Sequence, residues 1–210
     1  MNRPAHRAAA TVLGVFLLAS VSPASAGVPT DQLKGSIEQV IKVLDDPASK
    51  ADPEKRRTAV RQAAQQVFDF SEAAKRSLGR HWQGLSDKDR QEFTGLFTDL
   101  LERAYIGKIE QYSGERITYS GDSVAGDIAT VKTKFTTKKG TEIPVDYRMM
   151  QKGDRWLVYD VSVEGLSLIA NYRGQFNKII ETSSYAELVN RMKAKSDEFH
   201  APATSAKKES

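Results

Sequence analysis

The sequence predicts an α+β fold in which an antiparallel sheet of about four strands packs against several helices. Three observations carry this. Apolar residues recur at helical spacing from Leu33 to Tyr112, at a period of two from about Ala129 to Val163, and at helical spacing again from Leu168 onward. Helices followed by consecutive strands joined by short turns describe segregated layers, not alternating βα units.

Leu33, Ile37, Val40, Ile41 and Leu44 share one face of a first helix. Pro47 and the Asp52-Pro53 step break it, and Pro53 suits the first turn of a second helix running through Ala63, Ala64 and Val67. Phe68-Asp69-Phe70 interrupts the pattern, and Ser71 is the expected cap of a short helix ending near Gly79. The longest helix follows Ser86, which with Asp89 resembles a capping box. Its apolar stripe runs from Phe93 through Phe97, Leu101 and Tyr105 to Tyr112.

After Gly114 the period changes. A first strand is expected around Arg116 to Tyr119. Ala129, Val131, Thr133 and Phe135 alternate with polar residues, as do Ile143, Val145, Tyr147 and Met149, with turns at Lys139-Gly140 and Lys152-Gly153-Asp154. Both faces of Trp156 to Val163 are partly apolar. A turn at Glu164-Gly165 leads to helices over Ser167–Glu181 and Tyr185 to about Lys195.

Residues 1–26 read as a secretory signal peptide: a basic start at Arg3 and Arg7, an apolar stretch from Ala8 to Ser20, and Ala24-Ser25-Ala26 as the cleavage pattern. The mature chain is expected to begin at Gly27, in the periplasm, as one domain over 27–199 with a disordered tail over 200–210. Removing residues 1–26 takes away Arg3 and Arg7 and no acid, lowering the formal charge from +4 to +2. Basic residues are scattered without interleaved stacking aromatics, which argues against nucleic-acid binding. The chain has no cysteine, so no disulfide or lipid-anchoring thiol is available.

The search for catalysis is largely negative. No cofactor or metal is expected: beyond residue 26 only His81 and His200 remain, with no Gly-rich phosphate loop and no Gly-x-Ser-x-Gly elbow. His81 reads as a packed or surface histidine. Asp146 falls on the outward phase, and Asp160 is expected to pair with Arg148 or Arg173. The apolar stripes suit core packing and cavity lining alike, because the two differ only in unfilled volume.

Several segments together resemble the MlaC / toluene-tolerance Ttg2 family of phospholipid carriers. Phe68-Asp69-Phe70, Leu78-Gly79-Arg80-His81-Trp82, the Phe93–Tyr112 helix and Val145-Asp146-Tyr147-Arg148-Met149 are similar to family elements. So are Trp156, Tyr159-Asp160-Val161, Glu164-Gly165, Ser167 and Asn171-Tyr172-Arg173-x-Gln175-Phe176. The resemblance spans Leu33 to Met192. It implies an NTF2-like or cystatin-like sheet plus a helical part around an apolar cavity. It further implies a non-enzymatic carrier of diacyl phospholipid, exchanging cargo with an inner-membrane Mla ABC transporter complex and an outer-membrane MlaA lipoprotein–porin complex. Such traffic maintains outer-membrane lipid asymmetry.

By shared inward phase, the expected lipid-lining residues are Phe97, Leu101, Tyr105, Val131, Phe135, Val145, Tyr147, Met149, Leu157, Tyr159, Tyr172 and Phe176. Leu157 and Tyr159 compete with Trp156 and Val158 for that phase. Arg103, Arg148 and Arg173 are the candidates for head-group or partner contact. Competing readings are a hopanoid or other terpenoid-lipid carrier of the same family, a small periplasmic enzyme of the cone-shaped α+β type, and an adaptor with a filled core.

Overall fold

A computed structural model describes residues 28–200. The signal segment 1–26, Gly27 and the tail beyond His200 lie outside the described residues.

Helix α1 spans Val28–Asp45 and buries Leu33 and Leu44. Asp46 caps a one-turn helix, α2 (Pro47–Ala51), which the proline break concealed; its carboxylate accepts the Ser49 N–H at 2.9 Å. Asp52 caps α3 (Pro53–Val67) through the N–H groups of Glu54 and Lys55, both at 3.1 Å. The cap of α4 (Phe70–Leu78) is Asp69, not Ser71 as expected. Its carboxylate accepts the Glu72 N–H at 2.9 Å while its own N–H is held by the Val158 carbonyl at 2.8 Å. That bond to the sheet keeps residue 69 out of the helix, so α4 begins at Phe70, two residues before a Ser71 cap would start it. A 3-10 turn over Gly79–Trp82 follows. Gly79 has φ 56°, and a Cβ there would lie 3.2 Å from Arg173 Cδ, so the residue answers both a backbone and a packing demand.

Helix α5 spans Asp87–Glu110. Ser86 caps it as expected, accepting the Asp89 N–H at 3.2 Å while donating to the Asp89 carboxylate at 2.6 Å. Strands β1 (Arg116–Ala125), β2 (Ile128–Thr136), β3 (Glu142–Lys152), β4 (Arg155–Val163) and β5 (Leu166–Ser167) form one antiparallel meander in sequence order. The α+β expectation holds, with a fifth strand of two residues. β1 runs six residues past Tyr119 because a bulge between Tyr119 and Asp122 absorbs Ser120-Gly121, a pair that reads as a turn in sequence. Helix α6 spans Leu168–Thr182 and α7 spans Tyr185–His200, five residues longer than expected.

β4 carries the second bulge. Arg148 pairs with Asp160 but Met149 pairs with Val158, leaving Tyr159 as the extra residue. The phase therefore reverses within the strand. Trp156 and Val158 face the sheet interior before the bulge, opposite Gln151 and Met149; Val161 and Val163 do so after it, opposite Tyr147 and Val145. The expected inward pointing of Leu157 and Tyr159 is corrected accordingly.

Buried side chains form three clusters. Leu78, Phe93, Phe97, Ile169, Phe176, Leu188 and Met192 unite α4, α5, α6 and α7, with Phe97 meeting Tyr172 edge-on at 5.3 Å and Phe93 meeting Phe176 edge-on at 5.7 Å. Leu33 and Val67 pack on Ala129, Val131, Met149 and Val158 of the sheet. Leu44, Val60 and Ile106 join α1, α3 and α5. The sheet was expected to face the long helix across one interior. Instead α1 and α3 cover it, and the Phe93–Phe97 end of α5 belongs to the helical cluster.

Candidate functional site: two adjoining apolar cavities

Along β2 and β3 the inward side chains meet two environments. Val131 and Met149 are packed beneath Leu33 and Val67. Further along the same strands Phe135, Ile143 and Val145 face unfilled space. This space is a cavity of about 560 Å³ between α1, α3, the end of α5 and the sheet. Gaps in close-packed cores are little larger than a water molecule, whereas ligand sites run from about 300 to 1,000 Å³. Ile37, Val40 and Leu44 of α1 and Val60, Ala64 and Val67 of α3 form its roof. Ile117, Phe135, Ile143, Val145, Tyr147 and Val163 form its floor. Thr133, next to Phe135 on the inward phase, is buried and has its hydroxyl satisfied, donating to the Val145 carbonyl at 2.7 Å.

A second cavity of about 260 Å³ adjoins it. Leu101, Ile106, Phe70, Val161 and Leu168 line it alone, while Val60, Ala64, Phe68, Tyr105, Ile109, Tyr147 and Val163 line both. Its polar wall is an ion pair between α3 and α5, with Arg61 Nε 2.7 Å from Glu102 Oε2. Arg57 also reaches α5, 3.7 Å from Glu110 Oε1, and the Arg56 guanidinium donates to the Glu110 carbonyl at 2.9 Å. The seam beside the cavities is thus held by arginines of α3.

The polar residues of the larger cavity gather where α5 ends, β1 begins and β2 ends: Lys108, Gln111, Glu115 and Thr137. The Lys108 ammonium lies 5.4 Å from the Tyr105 ring centroid, within cation–π range. Both Glu115 oxygens are engaged by Ser113, through its N–H at 2.9 Å and its hydroxyl at 3.0 Å. These bonds, the backbone one foremost, hold the Glu115 carboxyl below the usual range, so it is ionised at neutral pH. Burial pushes the Tyr119 hydroxyl up to about 12 and the Tyr147 hydroxyl higher still.

Five of the twelve residues expected to line a cavity do so: Leu101, Tyr105, Phe135, Val145 and Tyr147. The other seven lie off these walls. Phe97, Tyr172 and Phe176 belong to the helical cluster, Val131 and Met149 to the core beneath α1. Leu157 has the opposite phase, and Tyr159 stacks under the Arg76 guanidinium, 4.0 Å from its centroid. None of the three arginines proposed for head-group contact lines either cavity. Arg103 binds the Asp99 carbonyl and the Lys195 carbonyl across α5 and α7, and Arg148 and Arg173 are exposed elsewhere. Asp160 is buried, but its carboxylate accepts the Ser167 hydroxyl and the Ile169 N–H, in place of the expected arginine. His81 meets the Asn177 side chain at 3.0 Å.

The roof residues of α1 and α3 were absent from the expected set. Their apolar stripes are plain in the sequence, but nothing in helical spacing tells a face on a void from a face on a core. Among the described residues no cluster of His, Cys, Asp or Glu is arranged to hold a metal ion, and no helix is long and apolar enough to cross a membrane.

The model of the MlaC protein family matches residues 34–194. The intermembrane phospholipid transport system binding protein MlaC of Haemophilus influenzae is 27% identical over 138 residues, covering 61% of this chain. The match spans 64% of that relative's length, a little under two thirds. The phospholipid-binding protein from Ralstonia solanacearum, solved in complex with a phospholipid, superposes with a TM-score of 0.71 at 23% identity, over 80% of this chain and 96% of that one. With its family model matched over most of its length, and with this α+β architecture, the chain belongs to the MlaC family.

Proposed function

We propose that the protein is a periplasmic carrier of diacyl phospholipid, serving an Mla-type system that moves lipid between the inner and outer membranes. The observation that carries this reading is the unfilled apolar volume, about 560 Å³ with a further 260 Å³ adjoining. The names of the Haemophilus and Ralstonia relatives, which are a phospholipid transport binding protein and a phospholipid-binding protein, support it.

In this reading the acyl chains occupy the cavities, against Leu101, Tyr105, Phe135, Val145 and Tyr147 and the α1 and α3 roof. Lys108 replaces the three arginines as the cation nearest a phosphate at the polar end. The chemistry is transfer without bond making. Two chains of about 15 buried methylenes each, at about 0.8 kcal/mol per CH₂, favour the protein over water by roughly 24 kcal/mol before costs. Net affinities do not reach that figure, but even the remainder makes release into water negligible. A bilayer buries the same chains, so exchange with a membrane is near neutral. Direction then comes from docking to the inner-membrane ABC complex and the outer-membrane MlaA complex, driven by ATP hydrolysis there.

Native mass spectrometry of the protein purified from a bacterial periplasm, followed by lipid extraction, tests this. Co-purified phospholipid at fixed stoichiometry is the expected result. A terpenoid lipid would move the protein to a hopanoid branch. A lipid-free mass, unchanged by incubation with phospholipid vesicles, would overturn the carrier reading.

A further inference from the structure

Tyr147 stands in the wall that the two cavities share, midway along β3 and opposite Val131 and Val161 on its neighbouring strands. Burial raises its hydroxyl far above the usual tyrosine range, as expected deep inside a protein. Yet the residue keeps some accessible surface, and its hydroxyl is not among the fully enclosed polar atoms. Both hold if that surface faces the internal cavities and not bulk water. Among the described residues the hydroxyl has no hydrogen-bond partner. Tyr119 is the titratable neighbour that acts on it, and only through its charge. Two other hydroxyls of this region are engaged: Tyr112 donates to the Glu115 carbonyl at 3.0 Å and Thr133 to the Val145 carbonyl.

An O–H left unpaired in an apolar void is unfavourable, and buried polar groups are nearly always satisfied. The partner must then be brought in by whatever fills the void. If each cavity takes one chain of a two-chain lipid, the chains diverge at the shared wall. The atoms at that branch point are the ester groups linking the chains to glycerol. They are acceptors without donors, and Tyr147 offers a donor.

We propose that Tyr147 is the ester-recognition residue of the carrier, its hydroxyl donating to an acyl-ester carbonyl at the junction of the two cavities. This rests on the carrier reading and deepens it: the cargo is selected as an ester-linked two-chain lipid, not merely as an apolar one. Fatty chains alone fit the walls equally well with or without the hydroxyl.

The test uses the delipidated chain and vesicles holding equal amounts of diacyl phosphatidylethanolamine and its dialkyl-ether analogue of the same chain length. Bound lipid is read by native mass spectrometry. Wild-type protein is expected to take up the ester lipid about five- to tenfold over the ether. Tyr147→Phe keeps the ring and is expected to bring the ratio to about one through loss of ester uptake alone. The ester carbonyl infrared band of bound lipid, shifted down in the wild type, should lose that shift in Tyr147→Phe. A wild-type ratio near one overturns the proposal, as does a Tyr147→Phe variant that keeps the wild-type ratio or loses both lipids equally. Uptake of neither lipid by the wild type would instead overturn the carrier reading itself.

Discussion

Asp160 of β4 and Ile169 of α6 are joined by a buried hydrogen bond, the carboxylate accepting the Ile169 N–H at 3.1 Å while also taking the Ser167 hydroxyl at 2.7 Å. The Ser167 oxygen in turn accepts the Ala170 N–H at 3.0 Å. Two of the open N–H groups of α6 are thus satisfied by one strand residue and one cap. Asp160→Ala should lower unfolding stability by about 2 kcal/mol, because it strands buried donors, while bound-lipid content stays as in the wild type. Urea unfolding with lipid quantification checks both. Loss of lipid without loss of stability would instead give Asp160 a role in the site.

The two cavities share Ala64 of α3. Ala64→Trp should fill unpacked volume, leave the thermal midpoint unchanged or raised, and sharply reduce lipid retention. Val131, 0% exposed beneath α1, should respond oppositely. Val131→Asp places a carboxylate in closed core and should destabilise the fold by several kcal/mol, not merely empty the cavity. Thermal melts beside lipid extraction separate the two; full lipid content in Ala64→Trp would show that cargo sits elsewhere.

Three tyrosines set an alkaline limit. Burial pushes Tyr119, Tyr172 and Tyr185 each up to about 12. In the unfolded chain they ionise near the reference value of about 10. The folded state then binds more protons than the unfolded one between these values. The stabilisation is fully present below pH 10 and is lost as pH rises from 10 to 12. Circular dichroism followed against phenolate absorbance should show the late-ionising tyrosines appearing together with unfolding. Complete ionisation at pH 10.5 in a native fold would refute this.

Glu164 has φ 51° and Gly165 has φ 82°, so the two-residue link between β4 and β5 is left-handed at both positions. Such a turn favours Asn-Gly, and glutamate is a poor occupant of its first position. Glu164→Asn should stabilise by about 0.5–1 kcal/mol, read as a shift in denaturation midpoint at constant slope. An unchanged midpoint would mean that interactions of the Glu164 side chain offset the strain.

Periodicity made the helices and the meander legible, since 3.6 and 2 are properties of local backbone geometry. The cap at Ser86 was legible too, because its side chain acts within three residues; those at Asp52 and Ser167 emerged only in the structure. Where reading failed, the partner was distant. Asp69 displaced Ser71 as a cap because Val158, far along the chain, holds its N–H. Tyr159 left the expected face because β3 and β4 pair around it with one residue to spare.

The sequence by itself determined the α+β class, the order of its longer elements and the apolar faces of its helices and of β2 and β3, because each follows from residue type and short-range spacing. Only the tertiary structure decided which faces meet packed neighbours and which meet a void. Phe97 and Phe135 were equivalent in the sequence, yet one closes an aromatic cluster and the other lines open volume. The reason is physical: burial is a property of a side chain and its period, whereas empty space is a property of how far apart whole elements are held.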